Sequence, residues 1–97
     1  MTVEQLREFV ILAEERNYLV AADMLNSNQA TLSRHIMSLE TELGYPLFVR
    51  TTKKIELTQD GCRFLAYARN SVMLFDKLII DIDNAKNGVI APVKWEA

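Results

Sequence analysis

The chain has 97 residues, of which 49% are hydrophobic and 25% charged, with a formal net charge of −2 at pH 7. A chain of this length forms one small domain that buries only about 60–65% of its unfolded surface, so a partner subunit would stabilise it. A single cysteine and a single histidine exclude an intrachain disulfide, a thiol metal cluster and a conventional catalytic triad. We therefore expect no enzyme, no cofactor and no metal ion. The apolar runs are too short to span a bilayer and no leader opens the chain, which favours a cytoplasmic protein without a membrane partner.

The first predicted helix begins at a capping box, because Thr2 and Gln5 have the spacing at which each side chain satisfies the other's backbone amide. Apolar residues then recur at the spacing of one helical face: Leu6, Phe9, Val10 and Ala13. This pattern predicts an amphipathic helix that reaches about Arg16 and packs inward.

Residues 21–36 have the pattern of a helix-turn-helix. Two adjacent alanines allow close packing of a second helix, which is predicted over residues 18–25. The polar turn at residues 26–28 ends that helix and caps the next one. A third helix that follows such a turn is free to enter a DNA major groove.

The third helix is predicted over residues 29–43. Its inner face is formed by Leu32, Ile36, Leu39 and Leu43. The opposite face carries Ala30, Arg34, Met37 and Thr41, with Ser33 beside it and Gln29 and Thr31 in the first turn. We assign this outer face to DNA. Gly44 is placed to end the helix in the left-handed conformation, and Pro46 prevents its continuation.

A small β-hairpin wing is predicted from residues 47–50 and 55–57. Acidic residues concentrate near the two ends of the chain, whereas the middle carries a cluster of cations on the third helix and wing: Arg34, Arg50, Lys53 and Lys54. Such a cluster suits the phosphate backbone of a nucleic acid.

A long fourth helix is predicted over residues 59–86, capped by Thr58 and ended by Asn87 and Gly88. Its 28 residues would span about 42 Å, which is longer than a domain of this size is wide. One apolar stripe consists of Leu65, Ala68, Val72, Phe75, Ile79 and Ile82. A second consists of Phe64, Tyr67, Ser71, Leu74 and Leu78. One stripe can cover the first helix, and we assign the Leu65 to Ile82 stripe to a homodimer interface.

An ordered set of residues resembles the DNA-binding domain and linker helix of the LysR-type transcriptional regulators over residues 3–86. The set comprises Leu6, Phe9, Ala21, Ala22, Leu25, Gln29, Leu32, Ser33, Ile36, Leu39, Glu40, Leu43, Gly44, Leu47, Phe48, Arg50, Leu57, Thr58 and Gly61. The resemblance implies a mainly α, winged helix-turn-helix domain over residues 1–58 and a dimerisation helix over residues 59–87. Residues 88–97 would be a tail, or the start of an effector-sensing domain that is absent here.

The resemblance further implies promoter DNA as the partner, a homodimer or a tetramer, and a small-molecule effector only through the absent domain. It places Gln29, Thr31, Ser33 and Arg34 at the groove and Arg50 on the wing, where Lys53 and Lys54 match commonly basic positions. Asn28 and Ala30 complete the predicted DNA-binding set, although they replace a frequent serine and proline, as His35 replaces a frequent glutamine. Residues 16–20 lack the family's small polar start of the second helix, which would remove a phosphate contact.

A second hypothesis places the chain in another functional class. The acidic balance of the chain and the lack of an effector domain also fit a protein-interaction module that dimerises with an intact regulator without itself reading DNA. Replacement of Arg34 by alanine separates the two readings, because only the first predicts a loss of DNA affinity.

Overall fold

A computed structural model describes residues 1–51 and 54–86 of the chain. Its elements are α1 (Val3–Glu15), α2 (Tyr18–Met24), α3 (Gln29–Leu43), β1 (Phe48–Arg50), β2 (Ile55–Leu57) and α4 (Gln59–Lys86). This order confirms the prediction of a mainly α, winged helix-turn-helix fold followed by a long helix. Lys53, the helix end at Asn87 and Gly88, and the tail at residues 88–97 lie outside the described residues.

Local hydrogen bonds explain where α1 begins and ends. The Thr2 hydroxyl accepts the Gln5 amide at 3.1 Å, and the Gln5 side chain accepts the Thr2 amide at 3.0 Å, so the predicted capping box is confirmed. At the other end Arg16 adopts the left-handed conformation with φ 55°, and its amide donates to the carbonyl of Leu12. The chain therefore turns sharply between α1 and α2.

Asparagine side chains begin both helices of the helix-turn-helix. Asn17 accepts the amides of Leu19 and Val20 at 2.9 and 3.1 Å, and Asn28 accepts the amide of Thr31 at 2.9 Å. The expectation that the start of the second helix lacks a small polar residue is therefore wrong, because Asn17 is its N-cap. Gly44 ends α3 with φ 87°, as predicted.

The core lies between the three N-terminal helices, the wing and the first half of α4. Its fully buried large side chains are Phe9, Leu12, Leu32, Ile36, Leu39 and Leu47. The ring of Phe9 lies at the centre, with ring centroids 5.3 Å from Phe48 on β1 and 5.0 Å from Phe64 on α4. Aromatic pairs at these distances join the wing and α4 to α1.

The wing is a two-stranded antiparallel hairpin in which Phe48 pairs with Leu57 and Arg50 with Ile55. It is fixed to the start of α4 by Thr58, whose hydroxyl accepts the Gly61 amide at 2.9 Å and donates to the Pro46 carbonyl at 2.8 Å. A Cβ at Gly61 would overlap the carbonyl oxygen of Leu47. Only glycine permits this close approach of α4 to the backbone of Leu47, just before β1.

The long helix α4 extends well beyond the globular part, and the molecule measures 54 × 28 × 18 Å. The residues of the predicted interface stripe differ in burial along α4. Ala68 is 1% exposed and belongs to the core of its own chain, so its assignment to an intermolecular interface is corrected. Leu65 packs partly buried against the same core and Val72 is half-buried, whereas Phe75, Ile79 and Ile82 are exposed. Across residues 1–51 and 54–86, no helix combines the length and apolarity required to cross a membrane.

Candidate nucleic-acid interface

The outer face of α3 is open to solvent. Ala30, Arg34, Met37 and Thr41 are all exposed, on the side opposite the buried Leu32, Ile36 and Leu39. In the first turns Asn28 and Gln29 are exposed, and Thr31 and Ser33 are half-buried. The structure therefore brings the six predicted residues between Asn28 and Arg34 together at the start of α3, around its solvent-exposed face.

Two hydrogen bonds organise the start of this face. The side-chain oxygen of Asn28 is occupied by the Thr31 amide, which leaves its amide nitrogen as the outward group. The Arg34 guanidinium donates to the Thr31 hydroxyl at 3.3 Å. This bond uses one of the five N–H donors of a guanidinium and aligns the side chain along the helix; within the described part of the chain no other group binds the remaining donors.

Glu40 joins α3 to the wing. One carboxylate oxygen accepts the backbone amides of Leu47 and Phe48, at 2.6 and 3.2 Å. The other oxygen lies 3.9 Å from a guanidinium nitrogen of Arg50. A single carboxylate on the flank of α3 therefore sets the position of β1 relative to the recognition surface. In the sequence, Glu40 is marked only as one of the residues that match the family pattern, and its contact with the wing was not predicted.

Arg50 is held from two sides. Its guanidinium carbon lies 5.7 Å from the ring centroid of Tyr18, a cation–π distance, and Glu40 lies on its other side. Burial raises the pKa of Tyr18 above its ordinary value, and the positive charge of Arg50 opposes that rise. The Arg50 side chain remains 41% exposed. It is thus both a structural link between α2 and the wing and a cation at the edge of the exposed face.

A cleft of about 250 Å³ opens between the start of α2, the start of α3 and the wing. Its lining consists of Arg16, Asn17, Tyr18, Leu19, Gln29, Thr51, Lys54 and Ile55. Two predicted residues, Gln29 and Lys54, meet here. Arg16 was not predicted, because the sequence marks it only as the end of a helix, while its left-handed backbone turns it toward the cleft.

His35 contacts α1. Its Nδ1 atom lies 2.7 Å from a carboxylate oxygen of Glu8, which is only 9% exposed. The pair joins the flank of α3 to α1, next to Arg34. Among the residues that the structure describes, no group of three His, Cys, Asp or Glu side chains is arranged to hold a metal ion.

Comparison with known proteins agrees with this geometry. A sequence model of the family described as "Bacterial regulatory helix-turn-helix protein, lysR family" matches residues 3–62. The "Uncharacterized HTH-type transcriptional regulator YbhD" of Escherichia coli K12 is 40% identical over 80 residues, which cover 82% of this chain and 25% of that protein. The chain spans about a quarter to a third of the length of the curated relatives it matches.

Two solved structures extend the comparison to the fold. The crystal structure of the BenM DBD/catB site 1 DNA complex superposes with a TM-score of 0.88 and 32% identity, covering 96% of this chain and all of that one. Full-length CbnR complexed with its target DNA superposes with a TM-score of 0.80 and 34% identity, covering 88% of this chain and 30% of that one.

Proposed function

Because the chain belongs to the LysR family of bacterial helix-turn-helix regulatory proteins, we propose that it binds promoter DNA sequence-specifically as a homodimer. The observation that carries this proposal is the exposed face of α3. Polar side chains cluster at the start of that face, and a wing and a cleft that carry cations lie beside it. This arrangement offers base-reading groups and phosphate-binding groups to one ligand.

The start of α3 enters the major groove in this proposal. Gln29, Thr31, Ser33 and Arg34, with Asn28 and Ala30 at the same end, are the groups that reach the duplex. The free donors of Arg34 suit the O6 and N7 acceptors of guanine, and the amide of Gln29 suits the N6 and N7 edge of adenine. Asn28 and Thr31 also hold the first turn in shape through their hydrogen bonds.

The wing and the cleft bind the sugar-phosphate backbone. Arg50, Lys53 and Lys54 supply the cations, and Arg16 adds a further one at the cleft beside Gln29. Phosphate contacts of this kind fix the register of the protein on the duplex and contribute most of the salt-dependent affinity. The superposition of nearly the whole chain on a DNA-bound domain supports this placement.

The dimer forms through α4. Leu74, Leu78 and Ile79, together with Phe75 and Ile82, leave an apolar surface exposed on a helix that projects from its domain. A contiguous apolar surface on a soluble chain is a common mark of an interface. Two protomers would then read half-sites about 34 Å apart, or a multiple of that distance.

The remaining assignments rest on family membership. Residues 1–58 bind DNA, residues 59–87 form the dimer, and residues 88–97 are a tail or the start of an effector-sensing domain. The family consists of regulatory proteins rather than enzymes, and the chain acts in the cytoplasm, where promoter DNA is found. A small-molecule effector would bind through an effector-sensing domain, which would also supply the second interface of a tetramer.

Selection from a random pool of labelled duplexes tests the proposal. The chain is mixed with the pool at low salt, the bound fraction is recovered and sequenced, and sedimentation measures the oligomeric state of the same sample. We expect enriched inverted half-sites and a dimer. A dimer that enriches no sequence and binds no duplex would overturn the proposal in favour of a protein-interaction module.

A further inference from the structure

A two-pronged ion pair joins α1 to α4 at the point where α4 leaves the domain. One guanidinium nitrogen of Arg7 lies 2.9 Å from an Asp76 carboxylate oxygen, and the other lies 3.3 Å from the second oxygen. The two residues are 69 positions apart in the chain. The Arg7 guanidinium lowers the pKa of Asp76, and Asp76 raises the pKa of Arg7.

Asp76 is the outermost polar attachment of α4. It lies two helical turns, about 12 Å, beyond Ala68, the last fully buried residue of the helix. Residues 77–83 are all exposed. Within the described part of the chain, no hydrogen bond or ion pair joins α4 beyond Asp76 to any other element.

The other polar contact between α1 and this part of α4 is weaker. Arg69 and Glu14 approach to 3.9 Å, at the limit of an ion pair. An open groove of about 470 Å³ runs beside the pair, lined by Val10, Val72, Met73 and Ile80 among others. Apolar contacts are non-directional, whereas a two-pronged arginine–carboxylate contact constrains both distance and angle.

We propose that the Arg7–Asp76 pair sets the angle at which α4 leaves the DNA-binding domain and thereby the distance between the two α3 helices of the dimer. Arg7 and Asp76 are then positioning residues for half-site spacing. This inference rests on the proposed function, because spacing has meaning only for a dimer that reads two half-sites. It adds a specificity determinant on α1 and α4, outside α3 and the wing.

The DNA experiment uses operators in which the selected half-sites are moved apart or together by one and two base pairs. Affinity is measured for the unaltered chain, Arg7→Gln, Asp76→Asn and the charge-reversed double variant R7D/D76R. Arg63→Gln is the matched control, since it breaks an exposed pair with Asp60 that lies wholly within α4. Folding should survive in all variants because exposed ion pairs contribute little to stability.

We expect the unaltered chain to prefer one spacing. In both single variants, the ratio of affinities between the preferred and the altered spacing should fall by about three- to tenfold, which is the effect that one weak surface ion pair in each of two protomers allows. The double variant should recover part of it, and Arg63→Gln should keep it. An unchanged preference in both Arg7→Gln and Asp76→Asn would overturn the inference. Absence of any DNA binding by the unaltered chain would instead contradict the proposed function.

A second measurement needs no DNA. The substitutions Ser38→Cys and Asp81→Cys, made together with Cys62→Ser, allow one spin label to be attached to α3 and one to α4. When the labelled chain is diluted with unlabelled chain, the two labels report the distance between α3 and α4 of one protomer. Asp76→Asn should broaden or shift this distance distribution, and Arg63→Gln should leave it unchanged. The same distribution with and without the pair would refute a positioning role.

Discussion

At the scale of single residues, Arg34 is the side chain whose replacement should affect DNA binding most. It is exposed, aligned by Thr31 and free to use most of its donors. We expect Arg34→Ala to weaken binding to the selected site by about ten- to a hundredfold per half-site, the range of a two-pronged base contact. Fluorescence anisotropy with labelled operator measures the change.

The matched control for Arg34 is Lys77→Ala, which removes the same charge from an exposed position on α4. Arg34→Lys adds a second control, because lysine keeps the charge but not the fork geometry. If Arg34→Ala binds the operator as tightly as the control does, Arg34 has no part in recognition.

Glu40 offers a prediction about stability. Its carboxylate is the acceptor for the Leu47 and Phe48 amides. We expect Glu40→Ala to lower the free energy of unfolding by about 1–3 kcal/mol, because the Leu47 amide, in a buried residue, would lose its partner. Urea denaturation measures it, with Glu56→Ala on the exposed side of β2 as control. Equal stability of the two variants would refute the role of Glu40 as the wing's attachment.

The pH dependence of Asp76 follows from its partner. Arg7, mainly through its hydrogen bonds, lowers the pKa of Asp76 below the ordinary value of 3.8. The ion pair therefore contributes stability above pH 3.8, and that contribution disappears as the pH falls through the lower pKa of the folded state. An NMR titration of the carboxyl carbon should give a midpoint below 3.8 that returns toward 3.8 in Arg7→Gln. An identical midpoint in both proteins would show that the pair does not form in solution.

At the scale of elements, the sequence allowed the helices to be predicted closely because their ends are marked by local chemistry. Thr2, Asn28 and Thr58 cap helices through contacts only three residues away, and Gly44 needs only its own backbone freedom. The predicted and observed bounds of α3, and the predicted and observed start of α4, agree for this reason. Asn17 also caps its helix through a contact three residues away. This cap was not predicted, because residues 16–20 were compared with the small polar residue that is usual in the family.

The sequence could not indicate which contacts join the elements. The Glu8–His35 pair, the position of Arg50 between Tyr18 and Glu40, and the Arg7–Asp76 pair each connect residues brought together only by the packing of different elements. Ala68 was misassigned for a related reason. Two apolar stripes run along α4 at similar spacing, and periodicity alone does not tell which one faces the protomer's own α1.

The exposed part of α4 leads to a prediction about assembly. Leu78 is 52% exposed, so a change there does not disturb the core of the protomer. We expect Leu78→Lys to weaken dimerisation at least about tenfold while the fold is retained, because a charge would be desolvated in an apolar interface. Sedimentation velocity measures the dimer and circular dichroism the fold. Asp83→Lys, further round the same helix, is the control, and an unaltered dimer in Leu78→Lys would place the interface elsewhere.

At the scale of the whole molecule, the positions of single charges, and not the net charge, reconcile an acidic chain with DNA binding. The formal net charge is −2, yet Arg34, Arg50 and Lys54 lie on α3 and the wing. The helix α4 carries four basic and four acidic residues over Gln59–Lys86 and is therefore neutral. Salt screens charges that are more than about 10 Å apart, so the cations nearest the duplex decide the local field.

The dependence of operator affinity on salt is the most direct test that α3 and the wing bind DNA. If Arg16, Arg50, Lys53 and Lys54 of both protomers each neutralise one phosphate, the plot of log affinity against log salt has a slope of about −7. Fluorescence anisotropy with the selected operator, at salt concentrations from roughly 50 to 300 mM, measures this slope. We expect a slope near this value that becomes shallower in Lys54→Ala, whereas a slope near zero would show that these cations do not bind phosphate.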